Sequence, residues 1–204
     1  MINSDEVSIQ NKSNNPNAYA FRLPYEKYNK EIVNKTDHVK PLISMMFWAG
    51  IWKTGRTPII LMTRDRRARR TGYSSWSYQK ALLEGLLPSY DGTRRFQQDN
   101  APIHTSNSTM TWLLSHRIEL LDWPPNSPDL SPIENIWNIL KRRLRRIFPH
   151  LKDLKDNEAD RAEFQRCVGI AWQGVPQEDI LKCLESLGRR LRACIRARGW
   201  YTKY

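Results

Sequence analysis

Between Phe96 and Trp123 the chain passes from a short apolar stretch, FQQ, through a proline and a helical pattern into a second apolar stretch, IELLDW. Phe96 to Gln98 reads as a short strand, and Pro102, which lacks an amide donor, stops any ladder soon after Asp99. Thr105 or Ser106 can cap a helix whose Met110, Leu113 and Leu114 face inward, after which Ile118 to Trp123 reads as another strand. A strand, a helix and a strand in that order predict parallel pairing through a right-handed crossover. The carboxyl ends of both strands then share one edge, with Asp99 on it, and open α/β sheets place their sites at such an edge.

The preceding segments predict an antiparallel meander: strands at Ala18 to Arg22, Leu42 to Trp52 and Thr57 to Met62, with Lys53 to Arg56 as a turn. Ser74 to Leu87 repeats apolar residues at helical spacing (Tyr78, Leu82, Leu83, Leu86), and Pro88 closes that helix. The expected class is α/β, a mixed sheet of meander and parallel strands flanked by helices.

After the second parallel strand comes WPPNSPDLSPIENIWNILKRRLRR, a proline-rich loop feeding a helix. Ser131 suits the N-cap, Pro132 the first helical position and Glu134 the third, which together form a capping box. Capping alone would therefore account for Glu134. Against that, Ile133, Ile136, Trp137, Leu140 and Leu144 make an apolar stripe, while Glu134, Asn138, Lys141 and Arg145 run along another face. A carboxylate that begins a basic stripe resembles a metal ligand beside a nucleic-acid surface. The 34 residues between Asp99 and Glu134 accommodate the crossover helix and the next strand, so both carboxylates can reach one edge. Two divalent ions about 3.5 to 4 Å apart need several carboxylate oxygens, and Asp5, in NSDEVSI at the start of the meander, is the third candidate.

Charge identifies the partner class. Lys and Arg number 33 against 21 Asp and Glu, a formal net charge of +12, which suits a polyanion. No apolar run reaches the roughly 18 residues of a membrane span, and MINSDEVSIQ lacks a signal pattern, so a soluble intracellular protein with no membrane partner is expected. Cys167, Cys183 and Cys194 lack metal or disulfide spacing and read as free thiols. RDRRARR, from Arg64 to Arg70, is either a solvated basic loop or a nucleic-acid contact or nuclear import signal. Lys152 to Arg166 reads as an exposed linker or helix. From Glu178 to about Arg198, Leu184, Leu187, Leu191 and Ile195 form a stripe expected in the core, and Trp123, Trp137 and Trp172 are expected there too.

QDNAPIHTS, WPPNSPDLSPIENIW and the spacing between them resemble the catalytic domain of mariner-type DDE transposases, of the Tc/mariner superfamily. The likeness extends to SDEVSI, MMFWAGIWKTGRTPIILM and ESLGRRLRACIRARGWYTKY, nearly the whole chain. It implies a ribonuclease H-like fold, two Mg²⁺ or Mn²⁺ ions, nuclear localisation, and cut-and-paste movement of element ends in double-stranded DNA into TA targets. By motif, Asp5, Asp99 and Glu134 become the catalytic, metal-binding triad. Asn100 and His104 stand second, as ligand-orienting or phosphate-touching groups or as local hydrogen-bonding residues, and Asn138, Lys141, Arg142 and Arg145 face DNA.

The resemblance also implies pairing of two element ends, and so a homodimer. The expected organisation is a core over residues 1–150 and a basic helical extension over 151–204 packed on it. Family members carry paired helix-turn-helix modules ahead of this domain, whereas only MINS precedes Asp5, so end-specific DNA binding is expected to be missing. With only Met1 and Ile2 before Asn3, the first strand is expected to be nearly absent and Asp5 loosely held. Two functions follow. One is metal-dependent cleavage and strand transfer that needs all three carboxylates; the other is a truncated or domesticated remnant that binds DNA without turnover.

Overall fold

The sequence SMMFWAGIW is apolar on successive positions, as suits a strand covered on both faces, and in the computed structural model it forms β2, Ser44–Trp52, at the centre of a mixed sheet. The structure describes residues 1–12, 41–68, 72–124, 127 and 130–198; the strand expected at Ala18 to Arg22 lies outside them. β2 pairs antiparallel with β1, Ile2–Gln10, and with two short strands, β3 at Gly55–Arg56 and β4 at Ile60–Leu61. The strand expected from Thr57 to Met62 is thus interrupted: Thr57 turns its hydroxyl to the Pro58 carbonyl and accepts from the Gly50 amide.

β1 overturns one expectation. It is nine residues long with Asp5 near its middle, because the strand extends beyond Asp5, where Val7 and Ile9 alternate into the core. Most of the strand lies after Asp5, not ahead of it. On its other edge β1 pairs parallel with β5, Phe96–Gln97. The second parallel strand shrinks to one bridge, Phe96 with Leu120, in which the Phe96 amide donates to Glu119 and the Leu121 amide to Phe96, each at 2.8 Å.

Helices cover both sheet faces. Ser74 caps α1, Ser75–Ala81, which continues through a π-helical stretch, Leu82–Leu86, and a 3-10 turn, Leu87–Ser89. Gly85 sits where a Cβ would lie 2.6 Å from the Trp48 ring, so this stretch approaches the sheet more closely than any side chain permits. Of the apolar residues at helical spacing here, Tyr78, Leu82 and Leu86 are buried and Leu83 is exposed. Pro102 begins a single helical turn, α2 (Pro102–Thr105), and Ser106 caps α3, Asn107–Ser115, by accepting from the Thr109 amide. In α3 only Leu113 of the three expected inward residues is buried; Met110 and Leu114 are exposed, and Thr109 takes the inward position instead. These helices, with Ile2, Trp48 and Phe96 of the sheet, form one core cluster.

The opposite face packs against α4 (Pro132–Ile147), α5 (Glu158–Gln173) and α6 (Gln177–Arg196). The predicted α4 stripe is buried throughout. The Arg56 guanidinium donates to the Trp172 and Val175 carbonyls at 2.8 and 2.5 Å and so ties β3 to the end of α5. Lys152 to Arg166 divides into a 3-10 turn, Pro149–Asp153, and the start of α5, with Phe164 fully buried. In α6 the expected stripe fails in its second half. Ile180 is buried and Leu184 packs on the core, but Leu191 and Ile195 are exposed while Arg190 turns inward. Among the described residues no helix is long and apolar enough to cross a membrane.

A candidate carboxylate site at the sheet edge

Asp5 pairs across the sheet with Ala49, and the alternation that buries Val7 and Ile9 places it on the α4 face. The Trp137 indole, one of the stripe residues, donates to Asp5 Oδ2 at 3.0 Å. Burial first, then the neighbouring Glu6 charge, pushes the Asp5 carboxyl up to about 7; the Trp137 bond opposes this and the Glu134 charge adds to it. A buried carboxylate next to other acids is stabilised by a cation.

Asp99 is held differently. It stands two residues past β5 with its side chain 58% exposed. Its Oδ1 accepts from the Ala101 amide at 2.9 Å and lies 2.5 Å from His104 Nδ1. The His104 bond chiefly, with the Ala101 amide, lowers the Asp99 pKa against a smaller effect of burial. His104 itself is 2% exposed. Burial alone would lower its pKa, but the bonds and charges of Asp99 and Glu6 outweigh burial and raise it to about 10.

Glu134 occupies the first turn of α4, exposed. Ser131 stands at the N-cap position, yet its side chain makes no capping bond, so the predicted capping box does not form. Ser131 instead lines the same cavity as Asp5, Asp99 and Glu134, a space of about 480 Å³ whose walls also include Gln97 and Trp123. The structure therefore brings all three predicted carboxylates to one concavity. Trp123 is a correction, since it is half-buried on this wall rather than in the core, whereas Trp137 and Trp172 are buried as expected. Asn100 Nδ2 donates to the Trp123 carbonyl at 3.0 Å and so joins the Asp99 loop to the segment leading toward α4.

An all-oxygen donor set on one concave surface, with one carboxyl destabilised as an anion, suits a hard divalent cation such as Mg²⁺ or Mn²⁺. Asn138, Lys141, Arg142 and Arg145 follow Glu134 along α4 and border a second concavity of about 480 Å³. Burial and the Arg145 charge lower the Lys141 pKa, as expected in a crowded cationic surface. With its amide oriented to suit its neighbours, Asn135 accepts from both terminal nitrogens of Arg190, at 3.2 and 2.6 Å, and links α4 to α6.

Two participants were missed in sequence. Glu6 lies on the other face of β1, where its Oε1 is 3.2 Å from His104 Nε2. An acid at a core-facing position of an alternating strand is the signal that could have found it. Trp137 was recognised as core but not as a donor to Asp5. Elsewhere the three cysteines are free thiols, as expected. His150, Glu163 and Cys167 come together, but Glu163 already takes two bonds from Arg166 at 2.7 and 2.8 Å and one from the Cys167 thiol, which makes this a closed surface network.

A family model described as DDE superfamily endonuclease matches residues 54–155, half of the chain. The Tcb1 transposable element transposase of Caenorhabditis briggsae is 41% identical over 167 residues, 79% of this chain and 55% of that protein. The Tc1 transposable element transposase of Caenorhabditis elegans is 42% identical over 109 residues, 53% of this chain and 37% of that protein. The chain thus spans about half, or less, of the length of these relatives. Among solved structures, the Mos1 transposase catalytic domain superposes with a TM-score of 0.54 at 20% identity, over 79% of each chain. A pre-cleavage Mos1 transpososome superposes with a TM-score of 0.62 at 17% identity, over 99% of this chain and 56% of that one. These likenesses establish the ribonuclease H-like fold.

Proposed function

The chain belongs to the DDE superfamily endonucleases, as a catalytic domain of the Tc1/mariner transposase type, and on that premise we propose that it cuts and joins DNA phosphodiesters in cut-and-paste transposition. The observation that carries the reading is the arrival of Asp5, Asp99 and Glu134, from three separate elements, in one cavity at the head of a basic helix face. Asp5, Asp99 and Glu134 would hold two divalent ions, Mg²⁺ or Mn²⁺. Bound there, such ions lower the pKa of an attacking water or 3′-hydroxyl and stabilise the leaving oxygen.

The protein's own groups do the rest. Trp137 fixes one oxygen of Asp5, and the Ala101 amide and His104 fix one oxygen of Asp99, so the carboxylates keep their places when phosphate enters. Asn138, Lys141, Arg142 and Arg145 neutralise phosphates beside the cavity, and duplex DNA lies along α4 with its scissile bond at Glu134. Substrates are element ends and a TA target, two chains pair the two ends, and the work is done in the nucleus. Residues 1–150 supply the catalytic core and 151–204 a basic extension whose α5 and α6 brace α4.

The test is nicking of supercoiled plasmid in Mg²⁺ or Mn²⁺ by the chain and by Asp99→Ala, with DNA binding followed in parallel. Cleavage by the unaltered chain alone supports the reading. Cleavage by neither, with salt-sensitive binding retained by both, would instead identify a DNA-binding remnant.

A further inference from the structure

We propose that Glu6 is a positioning residue of the carboxylate site, which acts through His104 to fix Asp99. The proposal rests on the reading of Asp99 as a cation ligand. Asp5 and Glu6 are neighbours in sequence but point to opposite faces of β1: Asp5 pairs with Ala49 of the α4-side core, Glu6 with Trp48 of the core beneath α1. One dipeptide therefore reaches the cavity by two routes. Asp5 enters directly. Glu6 passes below the sheet edge to His104, whose Nε2 lies 3.2 Å from Glu6 Oε1 and whose Nδ1 lies 2.5 Å from Asp99 Oδ1.

The imidazole has little freedom to do anything else. Its side chain is 3% exposed, and the Tyr78 ring stands 4.0 Å away, centroid to centroid. Tyr78 donates to Gln98 Oε1 at 2.8 Å, and the Gln98 amide donates to the His104 carbonyl at 3.3 Å, so ring and backbone are both enclosed. Glu6 Oε1 and His104 Nε2 are buried and face each other at 3.2 Å in a charge contact outside aligned hydrogen-bond geometry, and neither atom has an aligned hydrogen bond to any described residue. A buried carboxylate is costly unless it is partnered, so this pair persists because each supplies the opposite charge that the other lacks.

The consequence falls on Asp99. It lies past the end of a two-residue strand, and backbone pairing does not hold its side chain. Both side-chain contacts, from the Ala101 amide and from His104, fall on Oδ1, which leaves Oδ2 as the oxygen for a cation. Without the Glu6 charge the Nε2 end of the ring loses its anchor, and Asp99 Oδ1 loses a firmly held partner. Outer-shell partners of metal ligands typically change affinity by about 10- to 100-fold.

The experiment measures Mn²⁺ affinity of the chain by electron paramagnetic resonance of the free ion, with melting by circular dichroism as the control for folding. Glu6→Leu, which keeps the volume, should weaken Mn²⁺ binding about 10-fold, whereas Glu6→Gln, which keeps an acceptor for Nε2–H, should stay within about threefold. In an Asp99→Ala background Glu6→Leu should cause no further loss, because its effect runs through Asp99. Unchanged affinity in Glu6→Leu, an equal loss in Glu6→Gln, or a further loss added to that of Asp99→Ala would each overturn the proposal. If Glu6→Leu melts below the assay temperature, His104→Asn takes its place with the same expected loss and the same non-additivity. If Asp99→Ala itself binds Mn²⁺ unchanged, the carboxylate reading fails, and the role of Glu6 fails with it.

Discussion

Asp5 and Asp99 line one cavity, yet β1 and β5 deliver them by opposite means. β1 is nine residues long and paired along its length with β2, where Asp5 faces Ala49, so Asp5 is placed by backbone and buried, at the cost of a carboxyl pushed up to about 7. β5 is two residues long and ends before Asp99, so that carboxylate is placed by His104 and the Ala101 amide and is held below its ordinary pKa. A site that gathers negative charge thus combines one member that the fold strains and one that it satisfies. Cation binding would relieve the first and would meet the second already oriented, through the Oδ2 that its partners leave open.

The largest expected effect would erase this contrast. Asp5→Ala and Asp99→Ala should each reduce metal-dependent plasmid nicking by at least about 10³-fold, since on the proposed function both supply cation ligands whatever holds them. A variant that keeps a tenth of the activity would mark its carboxylate as dispensable.

Stability should separate the two. Without metal at pH 8, Asp5→Asn removes a buried charge and should stabilise the fold by about 1 to 3 kcal/mol. Asp99→Asn loses the charge-assisted contact with His104 and should destabilise it by about 1 kcal/mol, a modest figure because the group is half exposed. Urea unfolding reads both, and equal signs would break the comparison.

The pH dependence sharpens it further. The native Asp5 carboxyl binds its proton up to about 7, whereas the unfolded one releases it near the ordinary aspartate value of 3.8. The native state therefore binds more protons in between, and metal-free stability should fall as pH rises from about 4 to 7, by at most about 1.4 kcal/mol per unit. His104, raised to about 10, adds stability that is complete below its unfolded value of 6.5 and is lost as pH rises through about 10. Asp99, with a lowered pKa, adds stability above 3.8 that is lost as pH falls. Urea midpoints of Asp5→Asn should therefore vary less between pH 4 and 7 than those of the chain itself, and parallel profiles would contradict the assignment.

The smallest effect lies outside the pair. Arg142→Ala or Arg145→Ala should leave Mn²⁺ binding intact and reduce the slope of log affinity for DNA against log salt by about one. An unchanged salt slope would remove α4 from the DNA face.

What was legible in sequence followed from local rules. The α4 stripe of Ile133, Ile136, Trp137, Leu140 and Leu144 is read from periodicity, and Asp99 at a strand end from the proline after it. Misreadings arose where tertiary placement decides. A nine-residue helix such as α3 has room for more than one buried face, and the sheet selected Thr109 and Leu113 over Met110 and Leu114. The length of β1 was hidden because its hydrophobic alternation follows Asp5, and the capping box because Ser131 turned to the cavity. Glu6 and His104 are 98 positions apart in sequence, and only the pairing of β1 with β5 brings them together. In α6, Arg190 displaced the expected apolar stripe by reaching Asn135.

The most direct measurement is the electron paramagnetic resonance spectrum of bound Mn²⁺ in the chain and in its Asp5→Asn, Asp99→Ala and Glu134→Ala variants. Two ions held within about 4 Å by shared carboxylates give a spin-coupled signal, which should appear in the chain and vanish in each variant. A signal that survives all three substitutions, or bound Mn²⁺ that is never coupled, would contradict a single site built from these carboxylates.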